Sequence, residues 1–418
     1  MADRSVCRGG WRATGGSWRT PPDLMSPEMR VSPLKRRRLL IAATIPEQVS
    51  TSFMPHLAAF MAAGWDVHVV CAPGEWPAGP QPPTGVVVHR ISMAREVRPL
   101  ADAQSLVKML ALMRQVRPDV VIGGSPKGAL LSMVAARMMR VPRRVYLCRG
   151  ARWETATGRG RQVLLAAERV TARAATETVA VSLSLAEVLL ADGVTTRPVR
   201  VFGRGGDRGV DLTVFQPSDT LMRTGTEGAG GGDLSAQAAD SVVRNSPVLG
   251  FIGRLAADKG VSTVVAAFDA VREQYPDARL WLAGIPDPTD PLPAELTARL
   301  ADDPAISALG WTQQVPELLR ECDVLVFPSA REGLPNAVLE AAASGVPTVA
   351  WDVTGVRDAV DDGVTGRLVA PGDEEGFVAA VLGVLAEGRG AFVETCPAWA
   401  EQFDQQARTK MWCDFLAE

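Results

Sequence analysis

Short apolar runs alternate with segments of helical period along most of this chain, and the alternation stops once and then starts again. The first series predicts strands at 39–44, 67–71, 85–91, 119–122, 144–148, 178–181 and 199–202, with helices at 53–63, 100–116, 126–139 and 160–175 between them. The second predicts strands at 248–252, 279–283, 324–327 and 346–351, with helices at 262–275, 315–320 and 336–344. Strands too apolar for a half-solvated sheet, each followed by a helix, give parallel sheets covered on both faces. Two such series make two doubly wound α/β halves, whose default ligand site is the crevice between them.

Between the series lies a polar, glycine-rich stretch over 218–246, read as a flexible linker or insertion. A chain of 418 residues exceeds what one core sustains, consistent with two domains. The expected division is a disordered leader at 1–34, an N-terminal domain at 35–205, a linker at 206–246, a C-terminal domain at 247–395 and a helical segment at 396–418. That last segment carries Trp399, Phe403, Trp412 and Phe415 and is expected to pack back on the body. The leader lacks the hydrophobic region of a secretory signal, and Met25 and Met29 are alternative starts. No apolar stretch reaches the ~18 residues of a spanning helix. The cysteines at 7, 71, 148, 322, 396 and 413 show no CxxC spacing, which points to free thiols in a reducing cytoplasm and against zinc.

Charge divides unevenly. Residues 1–205 hold 29 Lys and Arg against 14 Asp and Glu, and residues 206–418 hold 15 against 33. The basic leader accounts for part of this excess. The rest points to an anionic partner, with an anionic membrane surface preferred over nucleic acid.

Two loops of the second half carry the chemistry. After the strand at 248–252 comes Gly253-Arg-Leu255, with Lys259-Gly260 close behind. A planar guanidinium and an ammonium at the mouth of a βα turn suit a diphosphate. After the strand at 324–327 the chain reads Ser329-Ala-Arg-Glu-Gly-Leu-Pro-Asn336, then enters a strongly helical run that contains Glu340. Asn336 is the expected N-cap, and the helix start is a ready anion site. Glu332 then lies in the loop, and Glu340 lies one turn into the helix, where its carboxylate can accept sugar hydroxyls. By itself a first-turn Glu could equally serve the helix dipole.

Taken together, these segments resemble the donor-binding half of family 4 retaining glycosyltransferases of the GT-B fold. The resemblance rests on Gly253-Arg-Leu255, Lys259-Gly260, Glu332-Gly-Leu-Pro-Asn336, Glu340-Ala341, Gly345-Val-Pro347 and Asp362-Gly-Val-Thr-Gly366. The first half resembles the capsule and lipid-linked-oligosaccharide branch through Gly64-Trp-Asp-Val-His-Val69, Arg117-Pro-Asp119, Ser125-Pro-Lys-Gly128, Cys148-Arg-Gly150 and Gly209-Val-Asp-Leu212. The resemblance implies an α/β, GT-B architecture: two Rossmann-like domains facing a cleft. It implies that Arg254 and Lys259 hold a donor diphosphate and that Glu340 accepts the ribose hydroxyls. Glu332 then touches the transferred sugar, while Gly253 and the backbone of Gly333, Leu334, Pro335 and Asn336 complete a donor site with Glu332, Arg254 and Lys259 as the catalytic set. No metal or cofactor is expected, because the cations and the helix start replace them. The donor is a nucleoside-diphosphate sugar, and the preferred acceptor is a polyprenyl-diphosphate-linked saccharide at the inner membrane face.

Two departures from the family pattern bear on the acceptor side. Where many relatives carry a His, this chain has Gly123-Gly-Ser125, and its histidines are His56, His68 and His89. Gly205-Gly-Asp-Arg-Gly209 replaces a Gly/Ser-rich turn. Ser125, Lys127 and Arg149 are the acceptor-side candidates. Alternatives are glycosylation of a soluble natural product, a nucleotide-sugar epimerase, and a non-catalytic nucleotide-sugar binding protein. A dinucleotide dehydrogenase is disfavoured because no GxGxxG follows the first strand.

Overall fold

In the computed structural model, residues 36–77, 79, 81–93, 98–217 and 246–418 are described. The expected leader at 1–34 and the glycine-rich stretch at 218–245 lie outside the described residues. The first sheet consists of β1 (Arg38–Ala42), β2 (Asp66–Cys71), β3 (Val87–Arg90), β4 (Val120–Gly123), β5 (Arg143–Cys148), β6 (Glu177–Ala180) and β7 (Val199–Arg200), in the order 3-2-1-4-5-6-7. Its helices are α1 (Pro46–Ser50), α2 (Met54–Ala62), α3 (Pro99–Val116), α4 (Pro126–Met138), α5 (Gly158–Ala174) and α6 (Leu183–Ala191). The second sheet consists of β8 (Val248–Ile252), β9 (Arg279–Ala283), β10 (Ile306–Gly310), β11 (Val324–Phe327), β12 (Thr348–Trp351) and β13 (Gly366–Val369), in the order 10-9-8-11-12-13. Around it run α7 (Val261–Gln274), α8 (Ala294–Asp302), α9 (Val315–Glu321), α10 (Asn336–Ala343), α11 (Val356–Ala359), α12 (Glu374–Glu387), α13 (Thr395–Ala400) and α14 (Gln405–Ala417).

Every strand pairing in both sheets is parallel. The strand order reverses between β1 and β4 in the first sheet and between β8 and β11 in the second. A doubly wound sheet binds ligands outside the carboxyl ends of its strands at such a reversal. The inner strands β4, β11 and β12 are buried along their whole length, as the apolar runs of β4 and β11 require; β12 adds the buried Thr348.

Each sheet has its own core. The first runs from Leu39 to Phe202 and includes Trp412, Phe415 and Leu416; the second runs from Val210 to Phe403. The final helix α14 therefore returns to the first sheet, where Trp412 packs its ring 4.7 Å from Phe202 and 6.1 Å from Phe53. Residues 206–217, which the sequence places in the linker, contain buried Asp207, Val210 and Phe215 and belong to the folded body. The sequence reading assigns no element over 352–373, after the strand at 346–351, whereas α11 and the edge strand β13 form there.

Candidate functional site

The loop after β8 carries Gly253, whose amide donates to the Ala283 carbonyl at 2.9 Å, and Arg254 beside it. A 3-10 turn over Ala257–Lys259 ends at Gly260, which takes φ +69°. A Cβ at that position would collide with the Pro328 carbonyl oxygen of the loop after β11. Glycine thus supplies both the left-handed turn and the close approach. The two loops are then tied together by the Ala330 amide donating to the Asp258 carbonyl at 2.9 Å and by Arg331 pairing with Asp258 at 3.2 Å.

That contact brings Lys259 to Glu332. The Lys259 Nζ lies 2.6 Å from Glu332 Oε1, and the Ser329 hydroxyl donates to the same oxygen at 2.8 Å. Arg254 pairs with Asp287 and, at 3.4 Å, with Asp258. The hydroxyl and amide hydrogen bonds from Thr289, followed by Arg254, pull the Asp287 carboxyl down to about 2.

Helix α10 starts at Asn336 with Pro335 in the cap position, and no side chain caps it. The sequence expectation that Asn336 is the N-cap is corrected: Pro335 holds the extended backbone of the cap position and Asn336 is already helical, so the helix begins one residue earlier than an Asn cap requires. Glu340 is buried on α10, and its carboxylate meets Arg208 at 3.2 Å. Burial raises its pKa, against the opposing pull of Arg208. Arg208 belongs to the Gly205–Gly209 segment that the sequence reading flags only as a departure.

The first half closes against this loop at Gly333, where a Cβ would overlap the Arg149 carbonyl. Leu334 packs against both hydrophobic cores. Between the halves lies a cavity of about 500 Å³, walled by Arg254, Glu332 and residues 333–336 on one side and by Tyr146, Arg149 and Glu168 on the other. Lys259 and Glu340 are not in its wall; Lys259 reaches it through Glu332.

The acceptor-side candidates separate. Ser125 lines the cavity, but its hydroxyl is buried and bonded to the Thr44 amide at 2.9 Å and the Thr44 hydroxyl at 2.8 Å. Lys127 pairs with Asp102 at 2.8 Å and is not in the wall. Arg149 is in the wall and pairs with the buried Asp207 at 3.0 Å. The histidines serve packing. His56 is buried between Thr409 and the Asp207 carbonyl, and burial lowers its pKa to about 4. His68 bonds to His89 at 3.0 Å across β2 and β3.

Residues 49–212 match the family model described as Glycosyltransferase Family 4, and residues 246–387 match the one described as Glycosyl transferases group 1. The capsular polysaccharide biosynthesis glycosyltransferase CapM of Staphylococcus aureus is 27% identical over 309 residues, 74% of this chain and 77% of that protein. The UDP-Gal:alpha-D-GlcNAc-diphosphoundecaprenol alpha-1,3-galactosyltransferase of Escherichia coli is 25% identical over 296 residues, 70% of this chain and 73% of that protein. Among solved structures, HepE of Anabaena in complex with UDP and glucose superposes with a TM-score of 0.70 at 18% identity, over 92% of this chain and all of that one. This last likeness establishes the fold as the two-sheet GT-B architecture of glycosyltransferases.

Proposed function

We propose, from the premise that this chain belongs to the family 4 glycosyltransferases, that it transfers a sugar with retention from a nucleoside-diphosphate donor to a lipid-diphosphate-linked saccharide. The observation that carries this reading is the convergence at one cavity of Arg254, the Lys259–Glu332 pair and an uncapped helix start. Cations and free amides at the carboxyl ends of β8 and β11 suit an anion of the size of a diphosphate. In this reading Arg254 and Lys259 hold the diphosphate and stabilise the charge that develops as it departs. Gly253 and the backbone of Gly333, Leu334, Pro335 and Asn336 close around the phosphates and sugar. Glu332 faces the transferred sugar, and Glu340 accepts the ribose hydroxyls once it exchanges Arg208 for them. These groups position the donor without a cofactor of their own.

A lipid-linked acceptor is supported by the diphosphoundecaprenol acceptor in the name of the Escherichia coli galactosyltransferase relative and by one face of the first half. Helices α3, α4 and α5 pack side by side, and on them Leu100, Val107, Met138, Val163 and Val170 are exposed among Lys108, Arg114, Arg137, Arg159 and Arg173. Basic side chains interleaved with exposed apolar ones fit an anionic membrane surface. Among the described residues no single helix is long and apolar enough to cross a membrane. The reading is therefore a peripheral enzyme at the cytoplasmic leaflet.

The test is a thermal-shift screen of nucleoside diphosphates, followed by transfer from the matching sugar donor to N-acetylglucosamine linked through diphosphate to a short polyprenyl chain. A selective shift and a product with the donor's anomeric configuration are expected. Inverted product, or no shift with any nucleoside diphosphate, overturns the proposal. Vesicles containing anionic lipid are expected to retain the protein at low salt, and a Val163→Glu/Val170→Glu variant to escape them. Equal retention of both proteins removes the membrane face from the reading.

A further inference from the structure

Glu168 is a buried carboxyl that the donor chemistry leaves unused. It sits on α5 and lines the cavity opposite Glu332, in the wall that belongs to the first half. Its Oε2 accepts the hydrogen of the Tyr146 hydroxyl, and among the described residues that is the one hydrogen bond to its side chain. Tyr146 is itself buried on β5 and also lines the cavity. Three residues further along, the Arg149 carbonyl touches Gly333 of the donor loop. The Tyr146–Glu168 pair and the donor loop thus face one space from opposite halves.

A carboxyl held away from water with one neutral donor is a poor structural choice unless something else satisfies its second oxygen. Burial raises its pKa to about 7, against the hydrogen bond from Tyr146 and the charge of Arg152. The titratable groups that act on it are Tyr146 and Cys148 from β5 and Arg152 from the loop after that strand; burial holds the Cys148 thiol up at about 12, so it stays neutral.

We propose that Glu168, aimed by Tyr146, is the acceptor-binding residue of the cleft: its free oxygen accepts a hydrogen bond from a hydroxyl of the incoming saccharide. This rests on the transferase reading above and assigns its acceptor subsite to a position that neither Ser125 nor Lys127 fills. Ser125 spends its hydroxyl on Thr44, and Lys127 lies outside the wall. The class of ligand follows from the chemistry. A carboxylate paired with a phenol selects a hydroxyl donor and repels a phosphate, so this end of the cavity takes the sugar of the acceptor and leaves the lipid diphosphate elsewhere.

The experiment compares wild type with Glu168→Gln and Tyr146→Phe, using N-acetylglucosamine diphosphate-lipid as acceptor probe. Loss of a hydrogen bond to a charged group raises the acceptor KM by about 10- to 100-fold in Glu168→Gln, with the donor KM unchanged. Tyr146→Phe keeps the ring that the core needs and shifts the acceptor KM in the same direction by less. In wild type kcat/KM for the acceptor rises through about pH 7, as the carboxylate forms; in Glu168→Gln that rise is absent. A Glu168→Gln enzyme whose only change is in thermal stability, with the wild-type acceptor KM and pH profile, overturns the proposal. Saturation-transfer NMR with the water-soluble saccharide diphosphate gives a readout free of turnover. Binding to wild type and not to Glu168→Gln supports the subsite, while equal binding, or none to wild type, overturns it. Nucleoside-diphosphate shifts on the same proteins report on the donor reading separately, so the failure of one is not taken for the failure of the other.

Discussion

Replacing Lys259 by Met tests the centre of the site on two independent scales. Lys259 and Glu332 are 14% and 17% exposed, and their charges meet at 2.6 Å. Breaking a buried pair by removing one partner costs about 3–5 kcal/mol, because a charge is left without compensation. Here the Ser329 hydroxyl still donates to Glu332 at 2.8 Å, so the loss falls to about 1–3 kcal/mol. Neutralising the survivor removes that cost. The double variant Lys259→Met/Glu332→Gln therefore recovers most of the loss, and the coupling from the cycle is about 1–2 kcal/mol. Urea unfolding followed by tryptophan fluorescence reads it as an apparent midpoint, since a chain with two cores need not unfold in one step. On the proposed reading donor binding goes the other way: the nucleoside-diphosphate shift is lost in Lys259→Met and stays lost in the double variant, because that reading makes the ammonium a phosphate ligand. Coupling below about 0.5 kcal/mol refutes the pair as a structural unit. A donor shift restored by Glu332→Gln refutes the role of Lys259 as a phosphate ligand.

Gly260→Ala is expected to cost about 1–2 kcal/mol for the left-handed turn alone, and more for the collision with Pro328; it lowers thermal stability and donor binding together, read in one thermal-shift series. Asp287, held down at about 2, contributes stability that is present above its ordinary value near 4 and is lost as the pH falls toward 2. Asp287→Asn removes about 1–2 kcal/mol at neutral pH and flattens the acid limb of the unfolding midpoint between pH 4 and 2. Glu168 has the opposite sign. Its raised pKa means that folding is penalised increasingly as pH rises from about 4.5 to about 7, so Glu168→Gln gains about 2–4 kcal/mol relative to wild type across that window. Trp412→Ala leaves a void beside Phe53 and Phe202 and removes one of the two hydrogen bonds to the Asp207 carbonyl, which keeps His56. A cost of about 3–5 kcal/mol is expected, felt in the first core although the residue lies at the far end of the sequence.

The parts of the fold legible in the sequence are those whose physics is local. Strands such as β4 and β11 read as unbroken apolar runs because both their faces are covered. The sequence reading misses β10 (Ile-Ser-Ala-Leu-Gly) and β13 (Gly-Arg-Leu-Val), both edge strands whose half-exposed residues need no such run. Within the site, Gly260 and Gly333 mark close backbone approaches, and Lys259 and Glu332 lie beside them, so that cluster is visible as spacing. Arg208 against Glu340 and Tyr146 against Glu168 leave no such trace. Each partner is an ordinary residue in its own segment; the first pair forms where residues 205–209 meet α10, and the second where α5 packs back on β5.

The pairings also bear on how tightly such a site can hold its ligand. Lys259 is matched by Glu332, Arg254 by Asp287 and Asp258, Arg149 by Asp207, and Arg208 by Glu340. A diphosphate entering the cleft therefore replaces existing partners, and its affinity is the difference between two sets of charge-assisted bonds. On the proposed reading that exchange favours the whole donor over its fragments. Phosphate alone would compete with Glu332 and Asp287 for the cations and gain little. A nucleotide sugar offers hydroxyls to Glu340 and Glu332 while its diphosphate takes over Lys259 and Arg254, so both members of each broken pair find new partners. The predicted ordering is that a nucleoside diphosphate sugar binds more tightly than the nucleoside diphosphate, and that inorganic pyrophosphate binds least. Titration calorimetry with the three ligands measures it, and pyrophosphate binding as tightly as the sugar donor would contradict the exchange.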